Sequence, residues 1–304
     1  MHRLYSNRLR KNLTVFQFSP VIDHIIMSKL KSVIHHIRVT YFERIRHDLK
    51  LLLNPSPAPI VNFLVCGTQK GGTTALDTYL RQHPEVCMAK YKEVHYFDRE
   101  NNFLYQKPDY CQYHAFFNPN QDHRVVGETT PVYMYWYTVP RRIWEYNPNM
   151  KLIIILRSPI ERAYSHWNMQ RDRGYDTLSF FDAIQSEEKR RQESLPWQNR
   201  RFSYLDRGFY TEQIRRLRSF FPEEQIMIMR NKQLREDPKK CLNQIYQFIE
   251  VSSLNTVEPI NRHTRYYASP MSVEERDLLK QIYEFEIRNL ERITGWDCQD
   301  WLDN

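Results

Sequence analysis

The stretch Phe63-Leu64-Val65-Cys66-Gly67-Thr68-Gln69-Lys70-Gly71-Gly72-Thr73-Thr74 has the pattern of a strand, a glycine-rich loop and the start of a helix. Three of the seven glycines in the 304-residue chain fall within six positions here. Glycine has no Cβ, so backbone N–H groups can converge on an anion, and the positive end of the helix dipole adds to the attraction. Hydroxyl groups of Thr73 and Thr74 and the ammonium of Lys70 would add donors. The stretch therefore predicts an anion-binding loop, although a plain strand-to-helix turn is the alternative.

This loop differs from the Walker A motif G-x-x-x-x-G-K-[ST], because Thr73 stands where that motif has its lysine. Nucleotide kinases with that motif usually place an aspartate at the end of another strand, where it helps to hold Mg²⁺. Here the apolar run Leu152–Leu156 ends in Arg157. A positive charge at this position favours a second phosphate over a magnesium ion, so no metal site is predicted.

Arg157 follows a predicted strand, and ligands of open α/β sheets bind at the edge where the strands end. A guanidinium can grip a phosphate with two parallel N–H bonds. Ser165 follows eight residues later, about two turns into the next predicted helix, where its hydroxyl could reach the same group. Taken alone, Arg157 could instead pair with a carboxylate, and Ser165 could be an ordinary helix-surface serine.

Apolar runs and helix-period segments alternate after residue 60, which predicts an α/β fold with a P-loop-like parallel sheet flanked by helices. The run Leu152–Leu156 is apolar throughout, as expected for a strand buried on both faces. The predicted strands are Val61–Cys66, Val125–Val126, Leu152–Leu156 and Gln225–Met229. The predicted helices are Thr73–Gln82, Val139–Tyr146, Ile160–Gln170, Tyr210–Phe220, Pro238–Ile249 and Val273–Ile293.

The first 59 residues differ from the rest of the chain in charge and pattern. They contain ten Lys or Arg and three Asp or Glu, whereas residues 60–304 contain 34 and 33. Apolar positions recur every three or four residues over residues 20–53, which predicts an amphipathic helical extension, and Asn54–Pro59 is a proline-rich linker. We therefore divide the chain into an extension (1–59) and a domain (60–304). The helix is expected to pack on its own domain or on a second copy, with membrane-surface or partner contact as the alternative.

Composition sets the remaining expectations. The excess of positive charge lies in the extension, so nucleic-acid binding by the domain is not expected. The sequence contains no run of eighteen uncharged apolar residues and no signal-peptide layout, which predicts neither a transmembrane helix nor secretion. The five cysteines are scattered without a C-x-x-C pair. We expect buried, reduced thiols and a cytoplasmic location.

Two of these segments together resemble a known family. Lys70-Gly71-Gly72-Thr73-Thr74 resembles the 5′-phosphosulfate loop of sulfotransferases that use 3′-phosphoadenylyl sulfate (PAPS), and Arg157 with Ser165 resembles their 3′-phosphate site. The resemblance covers roughly residues 60–300 and is closest to the heparan sulfate and other glycan sulfotransferases. It implies PAPS as donor and no metal. It also implies a hydroxyl or amine acceptor, on a carbohydrate or another small hydroxylated molecule.

The stretch Lys92–Asp98 is similar to the segment that carries the catalytic glutamate of the heparan-type enzymes. This similarity implies that Glu93 deprotonates the acceptor and that His95 and Asp98 support it. A carboxylate whose pKa is raised by partial burial would serve as such a base. His95 is the alternative base, as in the steroid and phenol sulfotransferases. Lys70 is implied to stabilise the charge that grows on the leaving bridging oxygen.

Two further segments match the family less closely. Gly127–Tyr133 resembles the family's G-E-K-S-P-x-Y segment, but Thr129 replaces the lysine, which implies a different acceptor contact. Arg262 and Arg265 lie where a basic loop of the family closes over PAPS, although a solvated basic loop is an equal alternative.

Two other functions compete with sulfuryl transfer. One is a metal-dependent kinase for nucleotides or small molecules, which needs a strand-end carboxylate that the sequence does not supply. The other is a non-catalytic nucleotide-binding module, recruited through its basic extension.

Overall fold

Five parallel strands form the sheet in the computed structural model, which describes residues 59–104, 107–256, 258, 260 and 269–303. The strand order is β2-β3-β1-β4-β5, so β1 lies at the centre with β3 on one side and β4 on the other. The strands are β1 Phe63–Gly67, β2 Val86–Met88, β3 Val125–Thr129, β4 Lys151–Leu156 and β5 Ile226–Arg230.

Eleven α-helices of the described residues connect and flank these strands. They are α1 Thr73–Leu80, α2 Tyr110–His114, α3 Val139–Tyr146, α4 Pro159–Asp172, α5 Phe180–Gln185, α6 Glu187–Gln192, α7 Tyr210–Arg218, α8 Asn231–Glu236, α9 Pro238–Ile249, α10 Val273–Thr294 and α11 Asp300–Asp303.

The sheet separates two apolar layers, and β4 supplies both. Leu152, Ile154 and Leu156 pack into one layer, whereas Ile153 and Ile155 pack into the other. This alternation follows from the period of two along a strand, and it explains why β4 is apolar at every position after Lys151. The predicted parallel sheet flanked by helices is confirmed.

The carboxyl end of each central strand leads into a loop at the same edge of the sheet. The backbone N–H of Thr68, after β1, donates to the carbonyl of Ile155 in β4 at 3.0 Å. The side-chain amide of Asn231, directly after β5, donates to the carbonyl of Gly71 at 2.7 Å. The glycine-rich loop is therefore held by the ends of two other strands.

All the strands and helices predicted after residue 60 are present, with ends that differ by at most three residues. The prediction missed β2, whose three residues are too few to show a strand pattern. It also missed five helices of four to six residues, α2, α5, α6, α8 and α11, because fewer than two turns cannot show an amphipathic period. The predicted extension, including the helix of residues 20–53, lies outside the described residues. The boundary between residues 59 and 60 stays a prediction.

Two smaller expectations concern membrane insertion and thiols. Within the described part of the chain, every helix is too short or too polar to cross a bilayer. All five cysteines are free, and Cys66, Cys87, Cys241 and Cys298 are buried as expected. The expectation is wrong for Cys111, which is exposed on the short helix α2.

Gly72 provides a test of how tightly the loop is built. Its φ is +108°, and a Cβ there would lie 2.2 Å from Nδ2 of Asn231, so an alanine would strain the backbone and displace the amide that holds Gly71. Gly174 is a matched control, since its φ is +70° but a Cβ would meet nothing within 4 Å. We expect Gly174→Ala to lower the free energy of unfolding by about 1 kcal/mol and Gly72→Ala by more than about 2 kcal/mol. Urea unfolding measures both, and equal losses would contradict the predicted steric role.

Candidate active site

The glycine-rich loop has the backbone of an anion-binding turn. Lys70 and Gly72 both have positive φ, at 70° and 108°, and helix α1 begins at the next residue, Thr73. Gly72 is the N-cap and provides no side-chain cap, so no cap side chain covers the N–H groups of the first turn. Such a turn, with an ammonium beside it, fits the phosphosulfate end of a nucleotide donor. Of the two threonines, Thr73 is buried and Thr74 is exposed.

The end of β4 carries the second predicted anion contact. Arg157 lies two residues after Ile155, whose carbonyl binds the glycine-rich loop, so both predicted clusters lie at the same edge of the sheet. The Arg157 guanidinium is 3.3 Å from the Glu161 carboxylate on α4, and Arg276 contacts the other oxygen of Glu161 at 2.8 Å. Arg157 therefore has a carboxylate partner, as the alternative interpretation supposed, and its role towards a 3′-phosphate stays a prediction.

Ser165 is not the ordinary helix-surface serine of the alternative interpretation. Its side chain on α4 is only 3% exposed, so it is not a surface serine. The prediction that its hydroxyl contacts a phosphate is not tested by this position.

Glu93, His95 and Asp98 form a chain of contacts beside the sheet edge. Nε2 of His95 lies 3.6 Å from the Glu93 carboxylate, and its Nδ1 lies 3.0 Å from the Asp98 carboxylate. Asp98 is fully buried and also pairs with Arg200, whereas 41% of the Glu93 side chain is exposed. The order therefore runs from a buried, fixed carboxylate through an imidazole to a carboxylate that solvent can reach.

A cavity of about 920 Å³ opens beside this chain of contacts. Gln69 of the glycine-rich loop and Glu93 both line it, so the loop and the predicted base meet at one space. The cavity is rich in guanidinium groups and aromatic rings. Those that line it are Arg99, Arg173, Arg200, Arg201, Arg207, Trp136, Tyr175 and Trp197.

Residues 61–275 match the family model described as sulfotransferase domain. The chain belongs to the sulfotransferase family. Its resemblance to the glycan branch is confirmed by two curated relatives. Human bifunctional heparan sulfate N-deacetylase/N-sulfotransferase 3 is 32% identical over 199 residues, which cover 62% of this chain and 22% of the relative. Mouse heparan sulfate glucosamine 3-O-sulfotransferase 5 is 28% identical over 207 residues, which cover 67% of this chain and 56% of the relative.

A solved structure is also similar along most of its length. The crystal structure of a sulfotransferase from Alicyclobacillus acidocaldarius is 26% identical, with a TM-score of 0.69, and the match covers 79% of this chain and 98% of that one. By contrast, this chain spans between about a fifth and a little over half the length of the curated heparan sulfate relatives above.

The pKa of Glu93 is lowered rather than raised, although partial burial alone would raise it. Burial acts to raise the pKa of Glu93, but the hydrogen bond from His95 and the charge of Lys92 outweigh it and lower the pKa to about 2. For His95, burial acts to lower the pKa, and the contacts with Asp98 and Glu93 outweigh it and raise the pKa to about 9. Glu93 is thus ionised and His95 is protonated at neutral pH.

A raised carboxyl pKa is found at Glu128, in the segment that departs from the family pattern. Glu128 is completely buried and accepts hydrogen bonds from the hydroxyls of Tyr113, Thr130 and Tyr133 at 2.6 to 3.0 Å. Burial raises its pKa to about 7, because these neutral donors only partly replace water.

Thr129, which replaces the family lysine, lies beside the predicted base. Its carbonyl accepts the backbone N–H of Glu93 at 2.8 Å, while its buried hydroxyl has no partner among the described residues. Position 129 therefore carries no charged side chain, whereas the family pattern has a lysine there.

Sequence reasoning missed all five arginines that line the cavity, including Arg200 and Arg207. Arg200 stacks over the Trp136 ring at 4.1 Å while it pairs with Asp98. Arg207 is only 2% exposed and donates to the side-chain oxygen of Gln69 at 2.7 Å. The one available signal was the stretch Tyr204–Tyr210, which resembles a substrate-side turn of the family, but no pattern in it distinguishes its arginine.

Two predicted nucleotide contacts, Arg262 and Arg265, lie outside the described residues. Their role towards PAPS stays a prediction. Among the residues that the structure does describe, no group of three or more His, Cys, Asp or Glu side chains is placed to hold a metal ion.

The raised pKa of His95 predicts how stability depends on pH. The protonated imidazole is favoured in the folded state, so its contribution is complete below the ordinary pKa of 6.5 and is lost as pH rises through about 9. We expect His95→Asn to destabilise the protein most at pH 6 and least at pH 10. Urea unfolding of both proteins across this range measures the difference, and parallel stability curves would contradict the contact chain.

Proposed function

We propose that the protein transfers the sulfuryl group of PAPS to a hydroxyl or amine of a carbohydrate acceptor. The observation that carries this proposal is the meeting of the glycine-rich loop and Glu93 at one cavity, at the carboxyl edge of a sulfotransferase-type sheet. Membership of the sulfotransferase family supports the reaction class.

The donor would be held by the sheet edge. PAPS supplies an activated sulfuryl group on a bridging phosphate oxygen. The loop Lys70–Thr74 provides N–H groups, hydroxyls and one ammonium for the phosphosulfate end, and Arg157 with Ser165 is proposed for the 3′-phosphate. Arg262 and Arg265 are proposed to close over the nucleotide. As the bridging oxygen gains charge, Lys70 is proposed to stabilise it.

The acceptor would be activated by Glu93 rather than His95. A general base must be unprotonated, and at neutral pH this holds for Glu93 but not for His95. An S–O or S–N bond forms to the acceptor, the proton passes to Glu93, and the bond to the bridging oxygen breaks with its electron pair leaving on 3′,5′-ADP. The protonated His95, fixed by Asp98, orients the Glu93 carboxylate during the transfer.

The cavity favours a carbohydrate that carries negative charge. Arg173 and Arg201 are exposed at its wall, so their guanidinium groups can meet an anionic ligand. The exposed rings of Tyr175 and Trp197 line the same cavity and offer apolar surface for a sugar ring. The heparan sulfate relatives support the same acceptor class. A cytoplasmic location, and membrane contact or self-association through residues 20–53, stay predictions from the sequence.

Nucleotide binding tests the donor site. We expect 3′,5′-ADP to bind without added metal and to raise the melting temperature, whereas 5′-AMP and ATP with Mg²⁺ bind more weakly. Arg157→Ala should weaken 3′,5′-ADP binding about tenfold or more, because a charged phosphate contact is lost. Isothermal calorimetry measures each affinity. Equal affinity for 5′-AMP and 3′,5′-ADP would contradict the 3′-phosphate assignment.

Glu93→Gln tests the base. The amide keeps the size of the side chain but cannot take a proton, so kcat should fall about 10²- to 10⁴-fold while 3′,5′-ADP still binds. Glu145→Gln is the matched control, because Glu145 lies on the surface of α3 and pairs only with Arg141 four residues away. Transfer from labelled PAPS to heparan-type oligosaccharides gives the rate. A Glu93→Gln variant as active as the control would rule out Glu93 as the base.

A further inference from the structure

Arg207 lies between the donor loop and the acceptor cavity. It belongs to the short 3-10 turn Asp206–Gly208, just before α7, and lines the cavity with Glu93. One terminal nitrogen of its guanidinium donates to the side-chain oxygen of Gln69 at 2.7 Å, and Gln69 directly precedes Lys70. The Arg207 guanidinium therefore contacts the residue that precedes the predicted phosphosulfate loop. It also lines the cavity proposed for the acceptor.

Hydrogen bonds fix the Arg207 guanidinium but leave some of its N–H groups without an acceptor among the described residues. Its Nε donates to Ser203 at 2.8 Å, its second terminal nitrogen donates to the carbonyl of Arg200 at 2.9 Å, and it stacks over the Tyr135 ring at 4.6 Å. With the bond to Gln69, three of the five N–H groups of the guanidinium have protein acceptors. Two N–H groups remain for another acceptor, and they are held in place before it arrives.

Arg207 forms no direct ion pair among the described residues, although it is only 2% exposed. Burial lowers its pKa to about 10, and the charges of Arg162 and Arg200 act in the same direction, whereas Tyr135 and Asp206 act against them. A buried cation without a direct ion-pair partner is costly, so this position favours an anionic ligand.

Lys70 and Arg207 also act on one common neighbour. Burial lowers the pKa of His166 well below its ordinary value. The charges of Arg207, Arg162 and Lys70 lower it further, so all three cations act on the same buried ring.

We propose that Arg207 contacts the sulfuryl group as it passes from donor to acceptor, and that it is a further catalytic residue of this transfer. The inference rests on the proposed function. The sulfuryl oxygens carry negative charge throughout the exchange, while the bond to the bridging oxygen breaks and the bond to the acceptor forms. A guanidinium held in place before the reaction stabilises that charge without reorganising.

The test compares two nucleotides that differ only in the sulfuryl group, PAPS and 3′,5′-ADP. Arg207→Gln should weaken PAPS binding, measured by calorimetry without acceptor, about tenfold or more, and should leave the affinity for 3′,5′-ADP nearly unchanged. With acceptor, kcat should fall about 10²- to 10³-fold. Arg216→Gln is the matched control, because Arg216 is also largely buried and stacks on a ring, at Tyr137, but does not line the cavity.

Gln69→Glu supplies a second test that leaves Arg207 in place. The new carboxylate would neutralise the guanidinium where the sulfuryl group should bind, so PAPS should lose affinity relative to 3′,5′-ADP while the protein stays folded. Gln69→Met, which removes the amide without adding charge, should change this ratio less. This variant keeps the assignment testable if Arg207→Gln does not fold.

The outcomes separate this assignment from the function beneath it. If the unmodified protein binds neither nucleotide, the proposed function fails and Arg207 has no sulfuryl group to contact. If the unmodified protein binds both and transfers the sulfuryl group, but Arg207→Gln and Gln69→Glu weaken PAPS and 3′,5′-ADP equally, Arg207 only holds the loop and the assignment is overturned.

Discussion

The anchoring of one loop by the ends of other strands is the constraint on which the candidate site depends. The loop after β1 donates to the carbonyl of Ile155 and accepts from Asn231, so its shape is set by β4 and β5 as well as by its own glycines. Parallel strands bring their carboxyl ends to one edge, which is why residues far apart in sequence can fix each other there. A loop held in this way needs little rearrangement when an anion arrives.

The candidate site has two parts that differ in how far their charges are compensated. Around Glu93, the cations Lys92 and His95 compensate the carboxylates of Glu93 and the buried Asp98. The Glu93 carboxyl is therefore ionised. Around Arg207, burial and the cations Arg162 and Arg200 lower the pKa to about 10 although Asp206 acts against them, and no direct ion pair forms among the described residues. The charge of Arg207 is therefore less compensated than that of Glu93.

The sequence predicted the architecture because its signals are local. A continuous apolar run such as β4 and a glycine pair before a helix can be recognised without the rest of the fold. The lowered pKa of Glu93 could not be predicted, because it depends on the contact of His95 with Glu93 and on the neighbouring charge of Lys92. Arg207 was missed for a similar reason, since its contact with Gln69 joins residues 138 positions apart.

The carboxyl of Glu128 couples folding of the core to proton uptake. In the unfolded chain this group titrates near 4.5, whereas burial among tyrosine hydroxyls moves the folded value to about 7. Between these values the native core binds a proton that the open chain has released, so its folding becomes less favourable as the solution moves from mildly acidic to neutral. Tyr133, which donates to Glu128, also accepts the backbone N–H of Tyr96, next to His95. Tyr133 therefore links the carboxyl that takes up the proton to the backbone beside His95, a residue of the cavity wall.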